Sequence, residues 1–197
     1  AAVYGPPEAL PVDETHPLRP ANPYSISKAA ADFYCQYAGG AAKLDIVRLR
    51  PFNHSGPGQS DQFVLSSFAR QVAEAEAGHR EPVLHVGNLE AARDFLHVGD
   101  VVRAYELAAM QARPGEAYNV CSGASRTIQH ALDQLLALSN AAIEVRTDPD
   151  RLRPVDVPEM RGDHGKLTAE TGWKPEIPIE RLLAELLDYW RGRHAEG

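Results

Sequence analysis

Short apolar runs alternate with stretches of helical periodicity along this chain, and that alternation limits the fold more than any other feature. Residues 44–50, 83–86, 118–121 and 143–146 read as strands, each followed within three residues by Gly or Pro. Helical spacing occupies residues 23–38, 63–78, 98–111, 128–138 and 179–190; in the second of these Phe63, Leu65, Phe68, Ala69, Val72 and Ala73 share one face. Asn22 offers an N-cap with Pro23 at the first helical position, and Gly39-Gly40 predicts that helix's stop. Ala1–Tyr4 reads as a strand tail before Gly5-Pro6-Pro7, the Pro-rich residues 6–22 and 51–60 read as loops, and residues 149–165 as a Pro-broken segment. Strands that alternate with helices predict an α/β fold with a largely parallel sheet.

Composition excludes several other classes. With 44% hydrophobic residues and 24% charged, the 197-residue chain has enough apolar material for a core. A net charge of −7 gives nucleic-acid binding no electrostatic support. No apolar run approaches the ~18–20 residues of a membrane span, and the first residues lack the basic region of a secretory signal. Cys35 and Cys121 are too few for a disulfide framework, which predicts reduced thiols and a cytoplasmic setting. The eight histidines show no metal-ligand spacing, so no metal is expected. Arginine outnumbers lysine 16 to 4, which fits either composition bias or planar recognition of phosphate; composition does not choose.

The sharpest local signal is Tyr24-Ser25-Ile26-Ser27-Lys28. Four residues apart on a helix, the phenol and the ammonium share a face. An ammonium beside a phenol favours the phenolate, which turns tyrosine into an acid/base usable near neutrality. Taken alone, the same pair also describes a surface tyrosine stacked on a lysine stem.

The surrounding motifs give the pair a context. Val3-Tyr4-Gly5, Asn22-Pro23-Tyr24, Arg50-Pro51-Phe52-Asn53, Gly56-Pro57-Gly58-Gln59, Arg93-Asp94-Phe95-Leu96-His97-Val98 with Asp100-Val101, Tyr118-Asn119-Val120 and Thr171-Gly172-Trp173-Lys174-Pro175 follow in order. Together they resemble the extended short-chain dehydrogenases/reductases of the NAD-dependent epimerase/dehydratase family that act on nucleotide sugars. Within it, residues 50–59, Phe63-Val64, Ala69-Arg70-Gln71 and residues 118–123 resemble GDP-4-keto-6-deoxy-D-mannose reductases.

The resemblance implies the C-terminal part of a Rossmann-type parallel sheet plus a smaller α/β substrate-binding domain. Residues 1–50 would be the remainder of the dinucleotide-binding domain. Residues 51–197 would be mainly the substrate-binding domain, with segments returning to the Rossmann sheet. The implied reaction reduces GDP-4-dehydro-6-deoxymannose to GDP-D-rhamnose with NADP or NAD as the cofactor couple. Tyr24 would protonate the ketone oxygen, Lys28 would hold the nicotinamide ribose, and Pro51 and Phe52 would flank the nicotinamide end. Asn53 matches a substrate-diphosphate position, although Asn before a Gly/Pro loop is also a common turn former. Arg93 matches a pyrophosphate clamp, although beside Asp94 it equally suits an ion pair. Arg153 matches a nucleotide-contacting position, with Asp156 and Glu159 near enough in sequence for an internal salt bridge. A homodimer built on the Tyr24/Lys28 helix is also implied, with Ala29, Ala30, Phe33, Tyr34 and Tyr37 as its face or, equally, as core.

No dinucleotide fingerprint occurs in these residues. The resemblance therefore implies about three further βα units ahead of Ala1, on the order of 90–100 residues. It also implies that Ala2 stands where related dehydratases place a glutamate base, which disfavours dehydration. The alternatives are a nucleotide-sugar 4-epimerase or GDP-mannose 4,6-dehydratase, and a catalytically incompetent nucleotide-sugar-binding fragment.

Overall fold

A computed structural model describes residues 1–151 and 157–195. In chain order it contains α1 (Pro23–Ala41), β1 (Arg48–Pro51), β2 (Asn53–Ser55), α2 (Val64–Glu76), β3 (Val83–Val86), β4 (Ala92–His97) and α3 (Val98–Gln111). There follow β5 (Ala117–Val120), β6 (Ser125–Thr127), α4 (Ile128–Ala137), β7 (Glu144–Thr147), β8 (Glu159–Met160), α5 (Gly165–Thr171) and α6 (Ile179–Ala195). Single 3-10 turns cover Ala2–Tyr4 and Pro149–Arg151. The α/β class and the parallel pairing expected from the sequence are both present.

The described residues fall into two units. One comprises Ala1–His54, Asp94–Ser125 and Glu159–Glu176, the other Ser55–Arg93, Arg126–Pro158 and Ile177–Gly197.

In the first unit β1 and β5 pair in parallel, from Arg48 beside Ala117 to Pro51 beside Val120. Leu96, Val101, Ala104, Ala108, Tyr118, Val120, Leu167 and Trp173 form one buried cluster there. Trp173 is fixed in it by its indole N–H, which donates to the Asp100 carbonyl at 3.0 Å. The Asp100 carboxylate accepts from the Glu176 backbone at 3.1 Å, so the start of α3 also holds the segment after α5. At the head of α1, the Asn22 side chain accepts from Ser25 N (2.9 Å) and Ser25 Oγ accepts from Asn22 N (3.1 Å). This reciprocal cap satisfies two of the helix's orphan donors, and Pro23 has none to satisfy.

In the second unit β3 and β7 pair in parallel, and α2, α4 and α6 pack together. Leu182, Leu183, Leu186 and Leu187 lie on one face of α6 and are buried. Each stabilises by up to about 1.5–3 kcal/mol relative to an exposed side chain. At the end of α6, Trp190 donates to Ser66 Oγ (3.0 Å), and Arg191 grips Glu76 through two bonds of 2.7 and 2.8 Å.

Several elements differ from the expectation. In place of the strand tail expected at Ala1–Tyr4 stands the 3-10 turn Ala2–Tyr4, because Tyr4 N and Gly5 N bond back to Ala1 O and Ala2 O. Gly5 then turns the chain at φ 66°, where a side chain would collide with the Arg19 carbonyl. Helix α1 runs through Gly39 and Gly40 to Ala41, and the left-handed residue beyond it is Lys43 (φ 54°). Strand β1 begins at Arg48 and not at residue 44, since its partner β5 begins only at Ala117. Residues 53–55 are a strand inside the expected loop, and β4, β6 and α5 were not expected.

Gly162 is, after Gly5, a second tight point of the first unit. Its neighbours bond the strand-like Val12, with Val12 N donating to Arg161 O (2.8 Å) and Asp163 N to Val12 O (2.9 Å). A Cβ built on Gly162 would lie 2.6 Å from both Cys121 Sγ and the Phe52 ring. Gly162→Ala is therefore expected to destabilise the protein by about 1–3 kcal/mol through overpacking. Urea unfolding measures this, and an unchanged midpoint would show that Phe52 and Cys121 yield freely.

Candidate active site

Helix α1 presents Tyr24 and Lys28 together. Both are exposed, Tyr24 at 64%, and the Lys28 ammonium lies 5.5 Å from the centroid of the Tyr24 ring. Among the described residues that ring is the ammonium's one partner, so both polar ends face outward, available to an external ligand. Pro51 ends β1, with its carbonyl accepting from the Ala1 amino group at 2.7 Å. Phe52 is buried, and its N–H donates to the Val120 carbonyl at 2.9 Å. Asn53 is exposed and opens β2, so it is a strand residue and not the turn former considered from sequence.

These five residues belong to the first unit. Arg93 belongs to the second, where its Nη1 donates to the carbonyls of Ala92 (2.8 Å) and Val157 (2.7 Å). Arg153 lies outside the described residues.

A buried polar network joins the elements of the first unit. The Asp32 carboxylate, on α1, receives Arg50 Nε (2.8 Å) and Nη2 (3.0 Å) as a two-point fork, and Arg48 Nη1 at 2.6 Å. Arg50 Nη1 donates to the Tyr4 hydroxyl (3.0 Å), which donates to Asn119 Oδ1 (2.6 Å). Asn119 Nδ2 donates to Val12 O, and Asn119 N to Glu14 Oε1. Burial pushes the Asp32 carboxyl upward, but the two guanidiniums outweigh it and hold the group below its ordinary value. Burial likewise pushes the Tyr4 hydroxyl up to about 12 against the pull of Arg50, so Tyr4 remains a neutral donor.

Asp94 anchors a second set of loops. Fully buried, its carboxylate accepts from Ser122 N (2.7 Å), Ser122 Oγ (2.6 Å), Gly123 N (3.0 Å) and Gly162 N (3.2 Å). These donors offset the cost of the buried charge only in part, and burial keeps the carboxyl above its ordinary value. Cys121, just before this loop, is buried with its thiol pushed upward by desolvation, which suits packing and not reaction.

A cavity of about 430 Å³ also opens in the first unit, lined among others by Glu14, Arg48, Glu116 and Lys166. It lies at the amino ends of β1 and β5, where Arg48 faces Ala117. Ligands of parallel α/β sheets bind at the carboxyl ends. Its charges are also paired internally, Lys166 with Glu116 at 2.6 Å and Arg48 with Asp32. The Tyr24/Lys28 surface is the better candidate.

Sequence reasoning missed Asp32, Tyr4, Asn119 and Asp94 as structural anchors. For Asp32 one signal was present: Tyr24, Lys28, Asp32 and Gln36 recur every four residues, a single ridge of α1.

An α/β chain with parallel strands and a helix carrying Tyr-x-x-x-Lys has the features of the extended short-chain dehydrogenase/reductase class. Residues 1–186 match the family described as GDP-mannose 4,6 dehydratase, and the chain belongs to that family. The GDP-6-deoxy-D-mannose reductase of Pseudomonas aeruginosa is 40% identical over 188 residues, covering 95% of this chain and 62% of that protein. GDP-mannose 4,6 dehydratase 1 of Arabidopsis thaliana is 32% identical over 180 residues, covering 90% and 49%. The solved structure of RMD from Pseudomonas aeruginosa complexed with NADPH aligns at a TM-score of 0.93 with 38% identity, covering 98% of this chain and 65% of that one. The UDP-glucose 4-epimerase of Thermus thermophilus complexed with NAD aligns at 0.83 with 32% identity, covering 97% and 61%. The chain thus spans less than two thirds of the length of these relatives.

Two outcomes are expected of the anchors. Asp94→Asn turns an amide N–H₂ toward at least one of four donors, so it is expected to cost about 1–3 kcal/mol or more in urea unfolding; a neutral substitution would show that the carboxylate is not needed. Because the Asp32 carboxyl is held low in the folded state, its stabilisation is complete above the unfolded value of about 3.9. It is lost as pH falls through the folded value. The stability gap between the parent and Asp32→Asn should therefore narrow from pH 7 to pH 3, and a constant gap would refute the ion pairing.

Proposed function

We propose that this chain forms part of a nucleotide-sugar 4-ketoreductase that converts GDP-4-dehydro-6-deoxy-D-mannose to GDP-D-rhamnose with NADPH or NADH. The observation that carries this reading is the exposed Tyr24–Lys28 pair, in a chain 40% identical to a GDP-6-deoxy-D-mannose reductase. The pair fits a nicotinamide nucleotide through the chemistry of its donors: an outward ammonium suits ribose hydroxyls, and an outward phenol suits a carbonyl oxygen. A bound dihydronicotinamide supplies the hydride. Tyr24 Oη hydrogen-bonds the C4 ketone oxygen and delivers its proton as negative charge develops there. Lys28 Nζ orients the ribose and, as a cation one helical turn away, favours the phenolate that remains.

In this reading residues 1–50 belong to the dinucleotide-binding part and residues 51–197 mainly to the substrate-binding part, with some segments returning to the Rossmann sheet. Asn53, Arg93 and Arg153 serve the diphosphate and nucleotide. Ala2 has no side chain able to take a proton, which favours reduction over the dehydration named for the family. Pairing of two copies through α1 belongs to the same reading, with Phe33, Tyr34 and Tyr37 at 56, 70 and 69% exposure. So does a cytoplasmic setting without nucleic acid. Among the described residues no helix is long and apolar enough to cross a membrane.

The test supplies the whole protein with GDP-4-dehydro-6-deoxymannose and follows NAD(P)H absorbance. Steady consumption with GDP-rhamnose as product is expected, and Tyr24→Phe should lower kcat by about 10²–10⁴-fold. No turnover with either cofactor in folded protein would reject reduction, and bound dinucleotide without net consumption would indicate an epimerase.

A further inference from the structure

The ridge Tyr24, Lys28, Asp32, Gln36 meets β1 through its lower half only. Gln36 Oε1 and Asp32 both accept from Arg48, while Arg50, two residues farther along β1, donates to Asp32 alone of the ridge. Moving toward the start of α1 therefore corresponds to moving toward the end of β1, an antiparallel packing of helix on strand. With Arg50, the forked partner, taken as the level of Asp32, the rise per residue gives the other levels. Lys28 lies four residues above Asp32, about 6 Å at 1.5 Å per helical residue. Along the strand the same distance is about two residues at 3.3 Å each, which brings Lys28 level with Phe52. Tyr24, about 12 Å above Asp32, comes level with Asn53 or His54.

We propose that Asp32 is a positioning residue, whose two-guanidinium grip sets the height of Tyr24 and Lys28 against the carboxyl end of β1. Three features support this. Asp32 and Arg50 are nearly sealed from solvent, with side chains 8 and 9% exposed, so the link is little screened by salt. The fork from Arg50 fixes direction as well as distance, which a single bond from a lysine does not. Arg50 is itself held from behind by the Tyr4 hydroxyl, which is anchored to Asn119 on β5. The carboxylate is thus tied to a strand pair and not to a loose side chain. Above Asp32 the ridge carries only the exposed Lys28 and Tyr24, so this grip is the nearest charged link between the proposed chemistry and the sheet.

The inference rests on the proposed reductase reading, and the experiment separates the two. In the whole enzyme, Asp32→Asn, Asp32→Glu and Arg50→Lys are compared with Tyr24→Phe for kcat, KM for the nucleotide sugar, NADPH affinity, urea midpoint and the isotope effect from 4-deuterated NADPH. Asp32→Glu is decisive, because it keeps the charge and the ion pair but adds one methylene. A displacement near 1 Å can cost about 10²-fold in rate. The expected result is that Asp32→Glu recovers most of the stability lost in Asp32→Asn. Its kcat should stay 10- to 100-fold low, with KM and NADPH affinity within about twofold and an enlarged isotope effect. If kcat returns together with stability, Asp32 is merely structural and the proposal is overturned. It is equally overturned if every Asp32 and Arg50 variant turns over like the parent while Tyr24→Phe is inactive, an outcome that leaves the reductase reading intact. Should the parent or Tyr24→Phe contradict that reading, the proposal falls with it. If Asp32→Asn does not fold, Asp32→Glu and Arg50→Lys carry the comparison.

Discussion

A carboxylate held between two guanidiniums organises the first unit. Removing Asp32 would leave Arg48 and Arg50 as poorly compensated buried cations, a change of the kind that costs about 3–5 kcal/mol. Replacing a whole buried ionic set by well-packed apolar side chains is often neutral in stability. What the ionic version adds is direction: the fork accepts one geometry, and an apolar contact accepts many. The continuation from Arg50 to Tyr4, Asn119 and Val12 extends that geometry across α1, β1, β5 and the loop before α1. These bonds tie four segments, of which β5 lies far from the others in sequence.

Much of the fold was legible because it obeys local rules. The cap at Asn22-Pro23, the β3 run of residues 83–86 and the leucines of α6 each announce themselves through pattern alone. What escaped had physical reasons. Strand β4 contains Arg93-Asp94, which reads as polar surface, yet Asp94 is fully buried because four donors from residues 122, 123 and 162 come to it. Helix α5 has seven residues and no side-chain cap, too short to be stable by propensity, and it forms because Leu167 and Trp173 enter the core. The missing tail of the expected strand at residues 44–47 reflects the rule that a strand exists only as far as its neighbour does.

The candidate site divides in the same way. Tyr24 and Lys28 were visible as a spacing, since one helical turn is a local property. Asp32 was hidden, because its partners lie 16 and 18 residues later and no local rule links them. Most motif residues that carried the resemblance prove to be buried scaffolding: Tyr4, Arg50, Asp94, Asp100, Asn119 and Trp173. Of those assigned chemistry, Tyr24, Lys28 and Asn53 are exposed, Pro51 and Arg93 are half-buried and Phe52 is buried. A recognisable sequence signature in this chain is chiefly a signature of how the frame is bolted together, with the reactive groups mounted on it.

The loop around Asp94 shows what such a frame permits. Three of its four donors are main-chain N–H groups, which any residue but proline supplies. The side chain at 124, and to a lesser degree that at 122, is therefore open to exchange during evolution or engineering, so long as the backbone keeps its course. Positions 94 and 162 have no such latitude, one because it gathers the donors and the other because a methyl group has nowhere to go. Diversity can accumulate along the rim of this loop while its hub stays fixed.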